Sequence, residues 1–250
     1  MGPSGEFDET IDVDGTLRSW RVHVPESAVD AMAFGPVPLL IALHGAGDSG
    51  ANFLAATGLK TTAAANGFVL VGPQGYNAGW FVKTQEGWPG TDGNGSSLQN
   101  DAQLMTEILE VTSQHYWIDE ARVFAVGFSR GAGLAGLLAI LSGQMALPSG
   151  PWKSPFAAYG IDAGYDPMGG QVDVSLAAPK RAVWLIHGTA DAGVPYNFGK
   201  SFADALQAGG WDVLFTTIDG APHTWLWQPA FGYSNQDLWD FFAAHPADAS

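Results

Sequence analysis

Three short clusters hold the residues best able to do chemistry. The first is Gly127-Phe128-Ser129-Arg130-Gly131. A serine between two such glycines suits a sharp strand-to-helix turn, where small neighbours let a strained backbone pass and the hydroxyl stands exposed. The N–H of Arg130 would then face a developing oxyanion, with a helix dipole adding partial positive charge. The plain alternative is a β-α turn whose serine caps a helix. A serine is a weak nucleophile without a base. Of the six histidines, His115 and His245 are expected to be solvated near element ends, and His23 lies in an N-terminal hairpin. His187 ends a buried run and is expected to be packed and hydrogen-bonded. His223, in Gly220-Ala221-Pro222-His223-Thr224-Trp225, follows the last predicted strand, where a loop returns over the sheet. The orienting acid is expected at Asp191, in His187-Gly188-Thr189-Ala190-Asp191, with Asp162 and Asp166 as rivals. The order Ser129, Asp191, His223 is the chain order of one known triad arrangement. The second oxyanion donor is expected in Leu43-His44-Gly45-Ala46-Gly47, with Ala46 preferred and Gly45 second.

These residues need a frame that brings distant loops to one edge. Thr10–Val13 and Leu17–Val24 alternate about Asp14-Gly15, a favoured hairpin turn. Beyond it, short apolar runs alternate with helix-length segments. The runs are Leu39–Leu43, Phe68–Val71, Val123–Val126, Phe156–Ile161, Val183–Ile186 and Val213–Ile218. They lack period-two alternation, as parallel strands buried on both faces do. Helices are expected at Asn52–Ala65, Leu98–Tyr116, Ala132–Leu141, Phe198–Ala208 and Gln236–Ala244. The pattern predicts an α/β fold of about eight mostly parallel strands, with helices on both faces and an antiparallel hairpin at the start. Residues 9–246 read as one domain and residues 1–8 as a flexible leader. Two long irregular stretches, Pro73–Ser97 and Gly143–Pro155, stand out, and such stretches are usually functional or disordered.

Composition bounds the partners. The chain has 250 residues, 25 acidic against 10 basic, for a formal net charge of −15. This balance argues against a nucleic-acid or anionic-membrane partner, both of which need a basic patch. There is no cysteine, which excludes disulfides, thiolate metal sites and a cysteine nucleophile. No run approaches the ~20 apolar residues of a membrane span. The first residues lack the basic start and apolar core of a signal peptide. Asp92-Gly93-Asn94-Gly95-Ser96 resembles the start of a calcium loop, but Ser97 and Gln103 stand where that loop needs Gly and Glu. No metal is expected, and Asn100-Asp101 reads as a helix cap.

The three clusters resemble an α/β-hydrolase. More narrowly, the chain is similar to the secreted esterases that group polyhydroxybutyrate depolymerases with feruloyl and acetyl-xylan esterases. The matching pieces are Leu43-His44-Gly45, Gly127-Phe128-Ser129-Arg130-Gly131, His187-Gly188-Thr189-Ala190-Asp191 with Val194-Pro195-Tyr196, and His223-Thr224-Trp225. The resemblance implies ester hydrolysis through an acyl-enzyme without cofactor, with Ser129 as nucleophile, Asp191 as acid and His223 as base. It also implies secretion. Departures are Arg130-Gly131-Ala132 after the serine, Ala221-Pro222 before the histidine, Leu226-Trp227 after the tryptophan, and the missing cysteines.

The expected partner is an ester, small or polymeric, bound by a monomer. Phe53, Trp80, Trp88, Trp225 and Trp227 are the candidates for an aromatic-walled cleft, and packing of the same rings onto the sheet is the equal alternative. A feruloyl- or acetyl-type esterase is the first reading. A polyester depolymerase is the second, and a hydrolase-fold binding protein without activity is the rival outside enzymes.

Overall fold

The computed structural model describes residues 2–80, 98–147 and 150–248. β1 (Gly5–Val13) and β2 (Thr16–Val24) pair antiparallel around the Asp14-Gly15 turn. β2 then pairs antiparallel with β4 (Val69–Pro73). From there the sheet is parallel through β3 (Val37–Leu43), β5 (Ile118–Phe128), β8 (Ala158–Asp162), β9 (Ala182–Gly188) and β10 (Val213–Ile218). The eight-stranded order is β1-β2-β4-β3-β5-β8-β9-β10. Pro38 cannot donate to the ladder, and the β3–β5 register shifts between Val37 and Leu39.

In place of a flexible leader over residues 1–8, the strand starts at Gly5. Ahead of it, the Gly2 N–H donates to the His115 carbonyl at 2.7 Å, and Tyr116 Oη donates to the Pro3 carbonyl at 2.9 Å. The alternation that marks the hairpin is too short at Gly5–Glu9 to be read from sequence.

Strand side chains split between two cores. Leu39, Ile41, Leu43, Val123, Ala125, Val183 and Leu185 face one side. That side is covered by α4 (Leu98–His115), α5 (Arg130–Ile140) and α6 (Tyr196–Ala208). Leu40, Ala42, Phe124, Val126, Trp184 and Ile186 face the other side. There they meet α2 (Gly50–Ala56), α3 (Leu59–Asn66) and α7 (Asn235–Ala244). Both faces are buried, which is why the strands read as continuous apolar runs. A short helix α1 (Glu26–Ala31) follows β2. The single helix expected over Asn52–Ala65 is two, because Gly58 takes φ 77° and breaks it. The irregular stretch after Gly143 contains the two-residue strands β6 (Ala146–Leu147) and β7 (Gly150–Pro151). It is tied down by Trp152 and Phe156, which are 2% and 0% exposed.

Asp101 is no surface cap. It lies within the first turn of α4 and forms a buried ion pair with Arg18 of β2 at 2.8 Å. Removing one partner of a buried pair strands the other charge. Asp101→Ala is expected to lower stability by about 3–5 kcal/mol, read as the midpoint of urea unfolding, and a loss below about 1 kcal/mol would contradict this account.

Candidate active site

The candidate residues gather at the carboxyl edge of the parallel strands, where open α/β sheets bind ligands. Ser129 joins β5 to α5 with φ 55° and ψ −116°. Such a conformation costs a non-glycine residue roughly 1–3 kcal/mol and persists only when its surroundings fix it. Here the Ser129 N–H donates to the Asp162 carbonyl at 2.9 Å, and the Ser129 carbonyl accepts from the Gly133 N–H at 3.0 Å. The flanking glycines are required by space. A Cβ on Gly127 would lie 2.3 Å from the Gly131 carbonyl, and one on Gly131 would lie 2.1 Å from the Leu43 carbonyl oxygen.

His223 Nε2 lies 2.9 Å from Ser129 Oγ, and His223 Nδ1 lies 2.8 Å from Asp191 Oδ2. A carboxylate only accepts, so Nδ1 carries the imidazole proton. Nε2 is then free to accept from the serine hydroxyl. Asp191 is fixed in turn by the Gly193 and Val194 N–H groups, which donate to Oδ1 at 2.8 and 2.7 Å. Burial pushes the Asp191 carboxyl up, but hydrogen bonds from His187, His223 and the Val194 N–H outweigh it and hold it well below the usual carboxylate range.

Three supporting roles are not evident from the sequence. His187 is packed, but it also reaches Asp191: its Nε2 lies 2.9 Å from the Val194 carbonyl and 3.4 Å from Asp191 Oδ2. The i,i+4 spacing of His187 and Asp191 was the available signal. Phe128 lies against the His223 ring, with centroids 4.8 Å apart. Gly193 covers His223 as well, since a Cβ there would lie 2.5 Å from its Cδ2. Nothing in the local pattern marks these two.

The loop after β3 abuts the serine. A Cβ on Gly45 would lie 3.6 Å from Ser129 Cβ. Next to it, Ala46 is exposed, and its N–H has no acceptor among the described residues. Arg130 begins α5, so its backbone stands at the helix N-terminus.

The rival acids are bonded to other groups than His223. Asp166 caps its own loop, accepting from the Met168 and Gly170 N–H groups. Asp162 is fully buried, and its Oδ2 accepts from the Leu226 N–H at 2.6 Å. Burial pushes its carboxyl well above the usual range.

The aromatic cleft needs correction. Trp227 is 0% exposed, Trp80 1%, Phe53 4% and Trp225 8%. Trp227 packs edge-on against Trp184 and Trp225, and Phe53 edge-on against Trp225. These rings are core, and composition alone does not separate a core ring from a wall. Trp88 lies outside the described residues, as does the calcium-loop-like stretch 92–97. Among the described residues no cluster of His, Asp and Glu fits a metal ion, and no helix is long and apolar enough to cross a membrane.

A family profile described as Esterase PHB depolymerase matches residues 19–166, more than half of the chain. The chain belongs to this family. A probable feruloyl esterase C from Aspergillus oryzae is 26% identical over 188 residues, covering 74% of this chain and 54% of its own. A protein of the same description from Aspergillus flavus matches over the same extent. The chain thus spans about half the length of these curated relatives. Among solved structures, esterase PE8 superposes with a TM-score of 0.64 at 19% identity, covering 84% of this chain and 94% of that one. The CE1 ferulic acid esterase of the fungus Anaeromyces mucronatus gives 0.63 at 19%, covering 89% and 85%. Both likenesses are of fold. The sheet order and the hairpin are those of an α/β-hydrolase.

Gly193→Ala should displace His223 while leaving both cores intact. We expect kcat on a small ester to fall about tenfold or more with the thermal midpoint shifted by only a few degrees. Unchanged kcat would show that His223 has another support.

Proposed function

We propose that the protein hydrolyses carboxylic esters through an acyl-enzyme. The observation that carries this is the unbroken path from Ser129 Oγ to His223 to Asp191, at 2.9 and 2.8 Å. Ser129 Oγ attacks the ester carbonyl as its proton passes to His223 Nε2. The tetrahedral oxyanion rests on the N–H groups of Arg130 and Ala46. Its collapse breaks the ester C–O bond, and the alcohol leaves with the proton from His223. Water then attacks the acyl-serine, giving its proton to His223. Ser129 regains that proton as the free acid departs. Asp191 holds the imidazole tautomer and offsets the imidazolium charge without becoming protonated. No step requires a cofactor.

For the substrate we propose a feruloyl or acetyl ester, since the curated relatives are described as probable feruloyl esterases. A polyester is the second reading, favoured by the family description. The likenesses support both. Secretion and a monomeric state belong to the same proposal.

The test is hydrolysis of nitrophenyl acetate, nitrophenyl butyrate, methyl ferulate and a polyhydroxybutyrate suspension by the wild type and Ser129→Ala. We expect kcat to fall by a factor on the order of 10³ or more in the variant, and a fluorophosphonate to label only the wild type. The preferred ester separates the two substrate readings. A folded wild type that turns over no ester and resists the fluorophosphonate would favour a binding protein instead.

A further inference from the structure

Trp80 and His44 are buried beside the site and have no part in the proton relay. The His44 ring is fully buried and uses both nitrogens. Its Nε2 accepts from the Gly75 N–H at 2.9 Å, and its Nδ1 lies 2.7 Å from the Gly45 carbonyl oxygen. A backbone N–H only donates, so Nε2 is bare and Nδ1 carries the proton that Gly45 accepts. Burial disfavours a second proton on this ring. The indole of Trp80 lies 5.0 Å from the imidazole, centroid to centroid, and Trp80 Nε1 donates to the His44 carbonyl at 2.9 Å. On the far side of Ala46, the Gly47 N–H donates to the Ala78 carbonyl at 2.8 Å. Residues 75–80 thus hold the loop on both flanks of Ala46.

The carbonyl of Gly45 and the N–H of Ala46 belong to one trans peptide plane, in which C=O and N–H point in opposite directions. Fixing the carbonyl fixes the N–H. We propose that His44 and Trp80 are positioning residues: His44 turns the Gly45–Ala46 peptide so that the Ala46 N–H faces the reacting carbonyl carbon's oxygen, and Trp80 holds His44 and its own carbonyl in register. Neither touches substrate. Trp80 is thereby moved from cleft wall to support of the oxyanion donor. The inference rests on the ester-hydrolase reading.

The experiment compares Trp80→Phe, His44→Asn, His44→Ala and Ser129→Ala with the wild type on nitrophenyl acetate, alongside the affinity of a phenylboronic acid, which forms a tetrahedral adduct on the serine. The Asn amide can still donate from where Nδ1 stands, and Phe keeps the ring without its N–H. A preorganised oxyanion donor acts in the transition state and little in the ground state. Trp80→Phe and His44→Ala are therefore expected to lose about tenfold or more in kcat at nearly constant KM, with boronate affinity falling in parallel and melting transitions preserved. His44→Asn should recover much of the loss. The proposal is overturned if Trp80→Phe and His44→Ala keep kcat within about twofold of the wild type while Ser129→Ala is inactive. It is also overturned if kcat falls with boronate affinity unchanged. A wild type inert toward the ester and the boronate alike would instead overturn the hydrolase reading, and this inference with it.

Discussion

The site depends on one backbone-to-backbone approach. The start of α5 lies against the end of β3 so closely that a single methyl group at Gly131 would sit 2.1 Å from the Leu43 carbonyl oxygen and 2.6 Å from that of His44. This contact sets the spacing between the serine turn and the loop of Ala46. The same crowding at Gly127 forces the chain to reverse within the few residues that carry Ser129. Strain at Ser129 is the consequence, and the hydrogen bonds of its N–H and carbonyl to Asp162 and Gly133 hold it in place. Packing of β3 and β5 as neighbouring parallel strands is what makes the approach possible.

Charge is handled differently at the two buried carboxyls of this edge. Asp191 has two histidines and two backbone N–H groups, so it stays ionised where burial alone would neutralise it. Its folded value is depressed, so the stability it contributes is fully present above the ordinary carboxylate value of ~3.9 and is lost as pH falls through the lower folded value. Among the described residues Asp162 has one N–H donor, that of Leu226, and its Oδ1 has no partner. Its folded value is raised, and it favours the neutral acid. Fewer donors together with deeper burial separate Asp162, which joins the serine turn to the histidine loop, from the ionised Asp191.

Much of this arrangement was legible in the sequence. Continuous apolar runs marked the parallel strands, because helices cover both faces. Ser129, Asp191 and His223, singled out by their chain order, meet at hydrogen-bonding distance because each follows a strand of the same sheet. Other features were not legible for identifiable reasons. The early start of β1 depends on pairing with β2, which lies beyond any local window. The break at Gly58 reads from sequence as one tolerable glycine in a helix. The role of Gly193 exists only because His223, distant in the chain, folds back over it.

The aromatic residues show the limit most clearly. A cleft wall and a core both call for large rings, and both are reached by loops near the strand ends. Burial decides between them, and burial is a property of the assembled sheet. Trp225 and Trp227 lie two and four residues after His223, yet they turn inward, where with Phe53, Trp184 and α7 they fill the core beneath the site. Their position fits anchorage of the histidine loop: Trp225 Nε1 donates to Asn235 Oδ1 at the start of α7, and the Leu226 N–H between the two rings is the one Asp162 accepts. A loop that must deliver an imidazole within hydrogen-bonding reach of a serine needs such anchoring, because a misplacement of about 1 Å costs on the order of a hundredfold in rate. Rings that look from the sequence like recognition of a substrate therefore serve, in the folded chain, the placement of His223.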